Sequence, residues 1–244
     1  MADSDRNWKA WGERDPYYAV LTHPRFRSEE IEASREEFFA SGRAYVDDLL
    51  VRLDRHFGGI PRGRALDFGC GVGRLTIPLA THFAAVTGLD ISSAMLAEAR
   101  ANSGGLPIDY RLSDDSLSQA DGAFDFVLSC IVLQHIPVAR GLALIEGLLS
   151  RVAPGGGCAL HVSVRRRQTR RQRLLYAIRH HVPGGQAMMN LASGRQADAP
   201  VMQMNEYPLA EVVRLFHRYG FLELLTRFDD HGDCDTVLLM GRRD

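Results

Sequence analysis

Lysine is almost missing from this chain: Lys9 stands alone, and every other basic residue is arginine. That is the mark of a G+C-rich bacterial genome, not a mechanism. Cysteine is scarce as well. Cys70, Cys130, Cys158 and Cys234 lie far apart and form no CxxC, so neither a disulfide framework nor a thiolate metal knuckle is supported, and reduced thiols in the cytoplasm are expected. No apolar run approaches the roughly 20 residues of a membrane span. The start, Met1-Ala2-Asp3-Ser4-Asp5-Arg6, lacks the charged-then-apolar order of a signal peptide. The formal net charge is only -1, so no global field draws the chain to nucleic acid or to an anionic membrane, and neither is expected as a partner. No His, Cys and acid cluster has ligand spacing, so no metal is expected.

What is present is a chain of 244 residues, 45% hydrophobic and 24% charged, enough for one large soluble domain. Residues 1–27 are rich in aromatics and turns (Trp8, Trp11, Pro16, Tyr17, Tyr18, Pro24, Phe26) and read as an ordered arm, since mobile tails rarely carry so many large apolar side chains. Ser28 is placed to cap a helix whose first turn holds Glu29 and Glu30. Its apolar stripe runs through Ile31, Phe38, Tyr45, Leu49, Leu53 and Phe57. Ser41-Gly42 is expected to divide it in two, and Gly58-Gly59 to end it. From Ala65 strands and helices alternate: strands at 65–68, 84–89, 108–112, 124–129 and 158–164, with helices from about Arg74, Ser92 and Val138 between them. Residues 165–207 break the rhythm, first with arginines and then with Gly, Ala and Gln. A last helix at 209–219 and strands at 221–228 and 236–240 suit an antiparallel hairpin. The reading is an arm with helices over residues 1–57, and a domain over 58–244 with an insertion at about 165–207.

Asp67-Phe68-Gly69-Cys70-Gly71-Val72-Gly73 falls where a strand hands over to a helix. Glycines there permit a sharp turn and a close backbone approach, and the helix start offers free N–H groups. The next strand ends in Asp90, an acid able to accept from both hydroxyls of a ribose. A dinucleotide-binding loop would read G-x-G-x-x-G. Here the third glycine comes one position early, and an acid precedes the loop.

Those residues resemble the first motif of class I methyltransferases, and Gly88-Leu89-Asp90-Ile91-Ser92-Ser93-Ala94-Met95-Leu96 resembles the second. Ser113-Asp114, Phe124-Asp125-Phe126-Val127, Leu133-Gln134-His135-Ile136, Pro154-Gly155-Gly156 and Tyr219-Gly220-Phe221 resemble further landmarks, over about residues 58–244. The resemblance implies a doubly wound α/β fold with a mostly parallel seven-stranded sheet, Rossmann-like. It also implies S-adenosylmethionine as donor and S-adenosylhomocysteine as product. On it, Gly69, Cys70, Gly71 and Gly73 line the methionine part of the donor, and Asp67 orients the loop or reaches the amino group. Asp90 holds the ribose, and Ile91 flanks the adenine. Asp114, or Asp115 after a one-residue slip, meets the adenine amine. Ser129 approaches the donor.

Methyl transfer to a hydroxyl needs alignment and a proton acceptor. His135, just past the fourth strand, is the first candidate base, and His161, inside the fifth, the second. Tyr17 or Trp11 is placed to face a sulfonium, a contact worth roughly 0.5–2 kcal/mol; a hydrophobic clamp by the arm is the other reading. Asp15-Pro16-Tyr17-Tyr18 resembles an amino-methyltransferase motif, but no buried strand precedes it. Arginines at 165–173 read as a solvated face or as contacts to an anionic acceptor. Met204, Asn205 and Tyr207 are the candidate acceptor wall. The expected activity is methylation of a small molecule at oxygen, in secondary metabolism or sugar modification. An RNA methyltransferase or a non-catalytic scaffold are the alternatives, and the oligomeric state is left open.

Overall fold

The computed structural model describes residues 4–231 and 233–244; the first three residues of the N-terminal reading, Met1-Ala2-Asp3, and Gly232 in the final hairpin lie outside them. Short runs of Val, Leu, Phe and Ala make the central strands, buried on both faces, while the two edge strands are more polar and partly exposed. The strands are β1 (Arg64–Phe68), β2 (Ala85–Asp90), β3 (Ile108–Leu112), β4 (Phe124–Ser129), β5 (Val152–Arg166), β6 (Leu224–His231) and β7 (Cys234–Arg242). They form one seven-stranded sheet in the order β3-β2-β1-β4-β5-β7-β6. The first five are parallel, and β7 runs antiparallel to both β5 and β6. The class I methyltransferase architecture expected from the motifs is therefore present.

Alternation along the strands feeds two cores. Leu66, Phe68 and Val127 face one side, under α6 (Val138–Ser150) and α9 (Leu209–Arg218), where Leu144, Ile145, Leu148 and Phe216 meet them. Ala65, Phe126 and Leu128 face the other, under α3 (Ile31–Phe57) and α4 (Thr76–His82). On the β2–β3 side, Leu96, Ala99 and Tyr110 bind α5 (Ser93–Asn102) to the sheet. Its start is capped by Ser92, whose hydroxyl accepts from the Met95 N–H at 3.3 Å.

Three local expectations are corrected. Ser41-Gly42 does not break a helix: α3 is one 27-residue helix. Gly42 is there because a Cβ would lie 2.1 Å from the Arg74 carbonyl oxygen, so the residue permits close packing. Ser28 does not cap α3 either. Its N–H and hydroxyl both donate to Asp15 Oδ1, at 2.9 and 3.1 Å. The first carboxylate of Asp15-Pro16-Tyr17-Tyr18 thus folds the arm back on itself. Pro154-Gly155-Gly156 is not a free turn, since β5 already begins at Val152. Gly155, with φ +74°, absorbs the irregularity while its N–H donates to the Arg243 carbonyl at 2.8 Å.

The N-terminal arm is ordered as α1 (Ser4–Arg14), α2 (Pro16–Val20) and a short 3-10 turn at Pro24–Phe26. The 165–207 connection contains α7 (Arg170–His181) and α8 (Gly185–Ala192). No helix among the described residues is long and apolar enough to cross a membrane.

Candidate active site

The glycine loop leaves β1 and is fastened to β2 at once: the N–H groups of Gly69 and Cys70 both donate to the Leu89 carbonyl, at 2.7 and 3.0 Å. Gly69, Gly71 and Gly73 have φ of +78°, +53° and +89°, a region costly to any residue with a side chain. The space a side chain would need is already occupied. A Cβ on Gly69 would sit 2.3 Å from Val132 Cγ2, and one on Gly71 2.7 Å from Val20 Cγ2. The loop is glycine-rich because β4's extension and α2 crowd it from both sides.

Two buried carboxylates flank this loop. Asp67 accepts from the Thr76 hydroxyl at 2.6 Å, and burial pushes its carboxyl up to about 6, with Thr76 and the nearby Arg74 opposing the rise. Asp90 accepts from the Gly71 N–H through Oδ2 and from the Ser92 N–H through Oδ1, each at 2.9 Å. Burial raises its pKa, and these backbone donors resist the rise. The Cys70 thiol between them is buried and pushed well upward, which makes it an inert wall rather than a nucleophile.

A cavity opens over the carboxyl ends of β1, β2 and β4, where ligands bind in doubly wound sheets. Its floor is Asp67 to Gly71 with Arg74, one side is Asp90, Ile91 and Met95, and the far side is Cys130, Ile131, Val132 and His135. Ile131 has φ +61°, a strained conformation for a β-branched residue and one that collects at functional sites. Asp114 and Asp115 both line the cavity but do different work. The Asp114 carboxylate accepts from the Ser116 hydroxyl and from the N–H and hydroxyl of Ser118, which hold it down at about 2. Asp115 pairs with Arg140 at 2.6 Å, and Arg140 also pairs with Asp5 of α1, so this acid ties the arm to the cavity rim. Ser129 is fully buried with its hydroxyl unpartnered, beneath the cavity and not on its wall.

The arm does cover the cavity, through residues other than those expected. Ser4, Asp5, Trp8, Ala19 and Val20 line it; Tyr17 and Trp11 do not. The Tyr17 hydroxyl is held by Glu98 and Asn102 at 3.0 Å each, and its ring packs edge-on to Phe38. Trp11 lies against the same apolar cluster, 5.8 Å from the Tyr18 ring. These two side chains are the clamp, and Trp8 is the aromatic at the site.

His135 is buried in a 3-10 turn (Leu133–His135) and lines the cavity. Its Nδ1 lies 2.6 Å from the Gln203 carbonyl, and its ring is 4.7 Å from Trp8. Donation to that carbonyl puts the proton on Nδ1 and makes Nε2 the basic nitrogen. Ser4 Oγ donates to the His135 carbonyl at 2.8 Å. The expected acceptor wall stands behind this turn instead of lining the cavity. Tyr207 places its hydroxyl 2.8 and 3.0 Å from the carbonyls of Leu133 and Ile136, and Asn205 gives both its N–H and its Nδ2 to the Gln134 carbonyl. Met204 bonds through its backbone to the Tyr176 hydroxyl. Segment 203–207 is a brace: its backbone groups needed partners, and the turn, Ser163 of β5 and the Tyr176 hydroxyl supplied them. His161 is buried within β5 and does not reach the cavity.

Arg74 escaped the sequence reading, although an arginine directly after the third glycine was there to be seen. It lines the cavity floor at 6% exposure; among the described residues its Nε is buried without a partner, and its side chain makes one hydrogen bond, 3.4 Å to Ser41 Oγ. Burial lowers its pKa.

Residues 65–156 match a family model described as a methyltransferase domain. Among curated proteins, the chain is 41% identical over 151 residues to a ubiquinone biosynthesis O-methyltransferase of Paramagnetospirillum magneticum. That alignment covers 61% of this chain and 55% of the relative. The protein of the same description from Methylocella silvestris is 39% identical over 128 residues, covering 46% and 48%. The chain thus spans about half the length of the curated relatives it matches. Among solved structures, magnesium protoporphyrin IX methyltransferase from Synechocystis PCC 6803 with bound S-adenosylhomocysteine gives a TM-score of 0.57 at 21% identity, over 93% of this chain and 100% of that one. The N-methyltransferase NodS from Bradyrhizobium japonicum, also with S-adenosylhomocysteine, gives 0.58 at 16% identity, over 98% of each. These likenesses show the fold.

Proposed function

Since residues 65–156 match a methyltransferase domain and are carried on a class I methyltransferase fold, we propose that the protein transfers a methyl group from S-adenosylmethionine to a hydroxyl of a small molecule. The observation that carries the reading is the Asp67–Gly73 loop locked to Asp90 on the floor of an arm-covered cavity. The residues suit the donor's polar groups. Asp90 accepts from the backbone N–H groups of Gly71 and Ser92 on its two oxygens, with Ile91 contributing as well, and the acceptor capacity that remains would hold the ribose. Arg74 has a buried Nε, unpartnered among the described residues, that a carboxylate would fill, and Asp67 lies on the same floor for an ammonium. Ile91 and Asp114 would border the adenine.

The donor, when bound, supplies an electrophilic methyl on sulfur. What the chain contributes is placement and proton removal. The cavity wall at Cys130–Val132 and the Trp8 ring confine the acceptor, and His135 takes its proton at Nε2. The Gln203 carbonyl and the Tyr207 brace keep that ring in one tautomer and one orientation. Oxygen as the accepting atom agrees with the curated relatives, both described as O-methyltransferases.

Titration calorimetry should show binding of S-adenosylhomocysteine and none of NAD; binding of NAD alone would overturn the reading. With an acceptor found from a panel of hydroxylated compounds, His135→Ala should lower turnover by roughly 10²–10⁴-fold while leaving donor affinity nearly intact. It should also abolish a rise of rate with pH. A variant that keeps that rise removes His135 as the base.

A further inference from the structure

Between residues 165 and 197 the chain has eight arginines and no Asp or Glu, while the whole molecule is close to neutral. Arg166 pairs with Glu206, and Arg167 pairs with Asp230 and Asp235. Arg165, Arg170, Arg171 and Arg173 are exposed and form no ion pair among the described residues. Arg179 is depressed by burial and by the neighbouring charge of Arg195, so like charges crowd one another on this face.

The same segment carries exposed apolar side chains. Leu174 is 62% exposed and Leu191 63%, and Leu175, Val182 and Met188 join them. Helical spacing sorts α7 cleanly. Tyr176 and His180 fall on the inner ridge, where Tyr176 bonds Met204 and its ring meets that of His180 at 4.2 Å. Leu174 lies on the outer ridge with Val182 just past the helix end and the half-buried Ile178 between them, and Arg170 and Arg171 stand beside them. On α8, Gln186 and Asn190 turn inward to Asn7 and the Ala199 carbonyl, which leaves Met188 and Leu191 outside. An apolar ridge flanked by arginine and free of acid is the pattern of a helix lying in a membrane interface. A second copy would bring the same positive charge against itself, and a nucleic acid offers no apolar phase for the leucines.

We propose that α7 and α8 form a peripheral docking surface for an anionic lipid bilayer, with the arginines on the headgroup phosphates and the leucine and methionine side chains at the acyl boundary. The low net charge of the chain, which excluded such a partner at the level of composition, conceals this local concentration. The surface adjoins the cavity. Gln186 bonds Asn7 of the covering helix α1, and Tyr176 bonds Met204, next to the residue whose carbonyl holds His135.

Sedimentation with vesicles tests this without any methyl-transfer assay, so its failure leaves the proposed activity standing. The whole protein should bind vesicles containing phosphatidylglycerol, release at high salt, and ignore pure phosphatidylcholine. Replacing Arg170, Arg171 and Arg173 with Gln should weaken partitioning by about a hundredfold, at about fivefold per arginine. L174S/L191S should weaken it by at least about tenfold through lost apolar burial, with an unchanged melting temperature because both side chains are exposed. Absence of binding to anionic vesicles overturns the proposal. So does binding that the leucine variant leaves intact, which would mark a simple polyanion site. Self-association abolished by the leucine variant, without vesicle binding, would make the occupant a second copy and equally overturn it.

Discussion

Arg74 and Asp67 concentrate the electrostatic cost of the site. A guanidinium at 6% exposure with no carboxylate bonded to it among the described residues is expensive to hold. Arg74→Met should therefore melt at the same temperature as the parent or higher. S-adenosylhomocysteine should bind it roughly 10- to 150-fold more weakly, the worth of a hydrogen bond to a charged group. Methylthioadenosine, which has no carboxylate, should bind parent and variant alike. Equal losses for both ligands in calorimetry would mean that the arginine only shapes the loop. Asp67 adds a pH signature. Its carboxyl ionises near 3.8 when exposed and near 6 when folded. Between those values the folded chain keeps a proton that the unfolded chain has released, so stability falls as pH rises from about 4 to about 6. The shift corresponds to roughly 3 kcal/mol. Asp67→Asn should remove that part of the slope in urea unfolding; an identical slope in parent and variant would assign it elsewhere. The sequence made Asp67, Asp90 and the glycines legible because their spacing is fixed by a strand-to-helix handover. It could not rank Tyr17 and Trp11 against Trp8. Which ring of a helical arm faces a cavity depends on how the arm is rolled, and contacts distant in sequence, such as Asn7 with Gln186 and Tyr17 with Glu98, set that roll.

At the scale of elements, the sheet was readable almost throughout. Buried parallel strands write themselves as short apolar runs, and each strand up to β4 lies within a residue or so of its expected span. Errors arose where a residue serves a neighbour across the fold. Gly42 looks like a helix breaker in sequence and is a packing residue in space, needed by the Arg74 backbone. Met204, Asn205 and Tyr207 look like a pocket wall because they stand beside the last helix. They brace the His135 turn because the segment lies between that turn and Ser163 of β5, and its polar groups bond to both. Their proposed influence on catalysis is consequently indirect, through the orientation of His135.

For the whole molecule, composition was the poorest guide. A net charge of -1 averages an arginine-rich stretch at 165–197, free of acid, against acids spread over the rest, and the average describes neither. The arm proved equally hard to classify as lid or clamp, because it is both: Tyr17 and Phe26 anchor it in an apolar cluster with Phe38, while Trp8, Ala19 and Val20 face the cavity. Val20 rests on Gly71, so tightly that a methyl at that glycine would collide with it. The donor proposed to lie along the loop is therefore roofed by α2, and it cannot leave unless the arm lifts. That converts a packing contact into a clock. The first round of chemistry would run ahead of all later ones, each of which waits for the roof to open and spent product to escape. A burst of methylated product equal to the enzyme present, followed by a slower steady rate that quickens in Val20→Ala, is the expected time course in rapid-quench experiments. A linear course from the first turnover would show that the arm opens faster than the methyl group moves.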